Sequence, residues 1–176
     1  MRIRMKSIIS VAALLTLAAS AAIAQTKDPV SSALREVVPG RQKNTVAAIE
    51  AMPADKFNYK PTPDQMTFGH LVAHMIETNN ALCSKAASVD APKVEAFKET
   101  DGKDKLVGGL KASFDFCTQA LAKMDDSKLG ETTEAIGMKL TRARIALGVA
   151  SSMADHYAEA AMYLRLNGVT PPGAKK

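Results

Sequence analysis

The sequence predicts an all-α protein, a four-helix bundle preceded by a cleavable signal peptide. Three observations lead there. The N-terminus has the charge and apolar pattern of a secretory signal. The remainder is rich in Ala, Leu, Met and Lys, with few β-branched runs and no strand-like alternation. Apolar residues there recur at three- and four-residue spacing in four segments separated by Pro- and Gly-containing connections.

The signal comes first. Arg2, Arg4 and Lys6 open the chain, an uncharged apolar run follows from Ile8 to Ile23, and Ala22-Ile23-Ala24 precedes Gln25. A basic start, a short apolar stretch and small residues at the −3 and −1 positions are what signal cleavage requires. The run is short for a bilayer span, so cleavage is preferred over a retained anchor. Three units follow: residues 1–24 as signal peptide, residues 25–172 as a helical domain, and residues 173–176 as a flexible tail. Cleavage also changes the charge. The whole chain is +5, but the signal holds three basic and no acidic residues, which leaves 20 basic against 18 acidic. A net +2 with no basic cluster and 5% aromatics gives no footprint for nucleic acid. The expected location is periplasmic or secreted, with no stable membrane anchor after cleavage.

The first helix is expected from about Ser31 to Met52, kinked or divided at Pro39-Gly40, because proline removes a backbone donor and crowds the preceding turn. Pro53, Pro61 and Pro63 mark an extended connection in which Phe57 and Tyr59 can pack. Thr67 is a suitable N-cap for a second helix reaching about Ala87. A polar loop, 88–101, leads to a third helix from about Lys103 to Lys123. Residues 125–137 read as a further connection. The last helix runs from about Thr141 to Asn167 and stops at Gly168 and Pro171-Pro172. Helices of about five turns suit a bundle about 30 Å long.

Chemistry is sparse. The three histidines fall on two helices: His70 and His74 on the second, His156 on the fourth. Ile145, Val149, Ser152, His156, Ala160 and Tyr163 follow the spacing of one helix face, so His156 sits in the inward stripe. A single core histidine is ordinarily a hydrogen-bonded packing residue. His70 and His74, four apart, share one side of their helix and suit a divalent ion, although such a pair alone is a weak signal. Glu77 lies a turn beyond His74, and Asp155 and Glu159 flank His156.

Cys83 and Cys117 are the only cysteines and lie on the second and third helices in apolar contexts. Two cytoplasmic thiols would read as core packing or a reactive pair; in an exported chain an even count favours a disulfide. The methionines are dispersed as core filler without a copper-type cluster. No Ser/His/Asp nucleophile arrangement, Gly-rich phosphate loop or CxxC is present.

Thr67-Phe68-Gly69-His70-Leu71-Val72-Ala73-His74, followed by Asn79 and Leu82-Cys83-Ser84, resembles the second-helix signature of the DinB-like four-helix-bundle family. His156-Tyr157, continuing to Tyr163-Leu164-Arg165-Leu166-Asn167-Gly168-Val169-Thr170-Pro171-Pro172, resembles that family's end. Met52-Pro53-Ala54-Asp55-Lys56-Phe57-Asn58-Tyr59-Lys60-Pro61-Thr62-Pro63 is similar to its first interhelical loop. The resemblance implies a divalent metal, nickel, zinc or manganese, held by one histidine on the second helix and two, four apart, on the fourth. On that basis His74 is the first ligand and His156 the last. The middle position falls on Ser152, a poor neutral ligand. His70, which stands where many relatives have Glu, Glu159 or a bound water are the candidates to replace it.

Two functions follow from this resemblance. One is a metal-dependent hydrolase or transferase acting on a small molecule, with Glu77, Asp155 or Glu159 as base. The other is a non-catalytic binding or envelope-stress protein that keeps the scaffold with a degenerate metal site. Related bundles pair as homodimers, and the same is expected here.

Overall fold

The computed structural model describes residues 27–174. The expected signal peptide, residues 1–24, lies outside the described residues, as do Lys175 and Lys176 of the expected tail. The first helix, α1, spans Pro29–Ala51. Pro29 suits its opening turn, where the missing N–H would have had no helical partner. Asp28 does not cap it. The cap arrives from far along the chain: Val30 N–H and Ser31 N–H donate to the Asp126 carboxylate at 2.8 and 2.9 Å. Asp126 N–H donates in return to Asp28 Oδ1 at 3.0 Å. Burial pushes the Asp126 carboxyl up, but the hydrogen bonds from Ser31 and Val30 outweigh it and hold the group below the usual range.

Of the kink or division expected at Pro39-Gly40, the division does not occur: α1 runs through both residues without a break. Leu34 and Val38 before the proline, and Val46, Ala48 and Ile49 after it, pack into one core. That shared burial holds the two halves in one helix against a proline cost of about 3 kcal/mol.

The second helix, α2, spans Phe68–Ala87, and Thr67 caps it by accepting from His70 N–H at 3.0 Å. The third, α3, spans Lys103–Ala122, and the fourth, α4, spans Arg142–Leu166. Thr141 Oγ1 caps α4 by accepting from Arg144 N–H. Each of α1 and α2 packs against both α3 and α4. Consequently α1 stands diagonally from α2, and α3 from α4. Two of the three connections must therefore cross an end of the bundle. Met52 to Thr67 crosses with Phe57 buried beneath it, edge-on to Phe68. Tyr163 OH, at the far end of α4, donates to Met66 C=O at 2.7 Å and fastens that crossing.

The other crossing is where the structure departs from the sequence reading. Residues 125–137 are not simply a connection. After a short turn at Asp126–Lys128, β1 (Thr132–Ala135) and β2 (Met138–Thr141) form an antiparallel hairpin, with Thr132 opposite Thr141 and Ala135 opposite Met138. Ile136 and Gly137 both have positive φ, 48° and 73°, the two-residue turn that matches strand twist. Four-residue strands that are mostly exposed carry no apolar alternation, and isoleucine is a poor advertisement for such a turn.

Candidate functional site

Because α2 and α4 are neighbours, His74 and His156 meet. Their ring centroids lie 5.1 Å apart with planes at 81°, an edge-to-face contact. His74 is exposed and His156 half-buried. Burial, and then the neighbouring His74, push the His156 imidazole below its ordinary value, with Asp155 opposing. Ser152 Oγ lies 3.4 Å from His156 Nδ1, and Thr78 Oγ1 lies 3.4 Å from His74 Nε2. Both distances are at the long limit for hydrogen bonds. Each contact joins residues four apart on one helix, so each ring is steadied from its own element.

His70 takes different company. Its Nδ1 lies 3.8 Å from Glu99 Oε2, and Thr67 Oγ1 donates to the same oxygen at 2.7 Å. A carboxylate beside the first turn of α2 satisfies the positive end of the helix dipole. Glu99 thus brings back, from a loop, the acid that position 70 lacks. Glu77 and Asp155 are exposed and Glu159 is half-buried. Among the described residues, no three His, Cys, Asp or Glu side chains converge so as to hold an ion.

Cys83 and Cys117 are bonded to each other, with Cα atoms 5.2 Å apart, and both are buried between α2 and α3. The bridge stitches α2 to one neighbour on the same helix whose histidine meets the other.

Beside His74 a cleft of about 620 Å³ opens between α2 and residues 91–99. The sequence marks those residues only as a polar loop. They form a strap with two close approaches to the helices: Phe97 lies over Gly109, and the Glu99 carbonyl lies 2.5 Å from where a Gly69 Cβ would be. Two helical glycines facing one connection, with a phenylalanine inside it, were the available signals.

The model of the DinB superfamily matches residues 40–160, more than half of the chain. The chain belongs to the DinB superfamily. Two solved structures share its fold: a DinB-like protein from Bacillus subtilis and another from Bacillus cereus, each 14% identical with a TM-score of 0.62. The match to the first covers 78% of this chain and 93% of that one; for the second the shares are 77% and 91%. Comparison with curated proteins gives no match.

For this DinB-superfamily chain the metal implied by the sequence resemblance can be tested against the donor set. Two imidazoles are adjacent, and the residue one turn before His156 offers a hydroxyl. A neutral serine hydroxyl is a weak ligand for nickel or zinc, and firm sites use three or four strong donors. The residues present therefore do not fit a closed metal centre. What the pair offers is an edge-to-face imidazole contact, with His74 at the rim of a cleft.

Proposed function

We propose that this protein is an exported DinB-superfamily binding module that works without a resident metal. The carrying observation is Ser152, which the family resemblance sets at the middle donor position and which lies against His156 Nδ1. Export is supported by the signal-like N-terminus and by the Cys83–Cys117 bridge, which persists in oxidising compartments. No described helix is long and apolar enough to cross a membrane. His74 and His156 then act as packing and hydrogen-bonding groups beside a ligand cleft.

A second reading, a metal-dependent hydrolase or transferase for a small molecule, is favoured by one distance. Two imidazoles on one tetrahedral ion have ring centres about 5 Å apart, and His74 and His156 stand at 5.1 Å. Metal content separates the two. The mature protein, dialysed with nickel, zinc or manganese and then against buffer, is expected to retain less than about 0.1 equivalent of each. Retention near one equivalent, abolished in His156→Ala, overturns the metal-free reading and installs the second.

A further inference from the structure

The cleft beside His74 has a chemistry of its own. Its volume, about 620 Å³, falls in the range of small-molecule sites. One wall is α2, a rigid element. The other is the strap, and its fastenings make it a formed wall. Phe97 packs where a Cβ on Gly109 would collide with its ring. Lys98 N–H donates to Asp101 Oδ2 at 3.0 Å, and Lys105 Nζ donates to Asp101 Oδ1 at 3.0 Å. Lys105 Nζ also stands 5.9 Å from the centre of the Phe97 ring. With Thr67 holding Glu99, the strap is tied along residues 97–101.

The lining is rich in acceptors. Glu77, Glu95 and Glu99 face a single full positive charge, Lys98. Among the described residues, neither Glu77 nor Glu95 has a basic partner within ion-pair distance. Asn80, also in the lining, carries a buried carbonyl oxygen with no hydrogen-bond partner. The lining also includes Val94 and Phe97. Val94 is 58% exposed, an apolar surface left to solvent at the edge of an acidic cleft.

We propose that this cleft binds a small amphipathic organic cation, its ammonium or guanidinium head recognised by Glu77 and Glu95 and its apolar body resting on Val94 and Phe97. Charge complementarity selects the head, since an anion of the same shape meets three carboxylates and one lysine. Aromatic and aliphatic surface supplies the remaining binding, as in most small-molecule sites. The proposal names the ligand class for the binding module proposed above. It uses no residue of the His74–His156 contact, so metal retention by that pair leaves it standing.

Three compounds with one aromatic body and different heads test it: 2-phenylethylammonium, 2-phenylethanol and phenylacetate. Each is titrated into the disulfide-intact mature protein, with calorimetry for affinity and backbone amide shifts for location. The cation is expected to bind saturably, to perturb residues 73–81 and 91–99, and to bind at least about tenfold more tightly than phenylacetate. Glu77→Gln/Glu95→Gln, at two exposed positions, should weaken the cation about tenfold while leaving the thermal midpoint unchanged. Equal or tighter binding of phenylacetate overturns the proposal. So does an unaffected double variant, perturbation elsewhere on the bundle, or no saturable binding of the cation up to about 10 mM.

Discussion

Two side-chain pairs leave α2 for its two neighbours, and they come to different ends. Cys83 reaches Cys117 on α3 and the two are covalently joined in a dry interface. His74 reaches His156 on α4 and the two merely touch at a half-open edge. The fold treats the pairs alike, because the diagonal placement of α1 from α2 puts α3 and α4 on either side of α2. The difference lies in the number of partners each chemistry needs. A disulfide is complete with two residues; a metal centre of this type needs three or four. Adjacency delivered by topology is therefore sufficient for one pair and insufficient for the other.

The bridge should carry the larger energy. It closes a loop with a sequence separation of 34, for which chain-entropy reasoning gives about 3 to 4 kcal/mol. Urea unfolding of the Cys83→Ala/Cys117→Ala variant should show a loss of that order against the oxidised protein. Dithiothreitol should lower the wild-type midpoint and leave the variant's unchanged. Equal midpoints for oxidised and reduced wild type would break the contrast, by making the bridge as dispensable as the histidine contact.

The histidine pair can be sharpened in the other direction, by supplying the missing donor. Ser152→His places a third imidazole four residues before His156 on the same helix, the spacing that stacks side chains on one face. Its affinity for nickel or zinc should exceed that of wild type by about a hundredfold, equivalent to about 2.7 kcal/mol. Isothermal titration measures it, and competition with a chelator checks it. An unchanged affinity would mean that the His74–His156 geometry is unsuited to an ion.

What the sequence disclosed follows the same division. The four helices were legible because each buries a stripe long enough to impose its period, and Thr67, Gly168 and the Pro171-Pro172 stop marked ends. The cysteine bridge and the His74–His156 contact needed only the right helices to be neighbours. Other features depended on long-range geometry. Asp126 caps α1 from 95 and 96 residues away, and no local pattern announces that. Pro39 is a helix breaker by propensity, yet the common core on both sides overrides it. The strap that makes the cleft is held by single residues, Phe97 and Glu99, each resting on a helical glycine, and such contacts have no period to read. The hairpin escaped because its strands bury almost nothing.

The smallest effect expected also separates the pairs most cleanly, because only the histidine pair holds a group whose proton affinity folding shifts, His156. His156 has a folded-state value below its unfolded one, through burial first and His74 second, against the pull of Asp155. In the interval between the two values the unfolded chain binds more protons than the folded one, so stability rises with pH there. The contribution is fully present above the unfolded imidazole value of about 6.5 and is lost as pH falls through the folded value. Urea midpoints should therefore fall between about pH 7.5 and pH 5 in wild type, and fall less in His156→Gln, which keeps a polar side chain in place. The bridge contributes the same at both pH values, since bonded cysteines do not titrate. Its loss should shift the whole profile downward without changing the slope. A slope that survives His156→Gln would assign the pH dependence to another group. A slope that disappears with the bridge would mean that the two pairs on α2 are coupled through the helix.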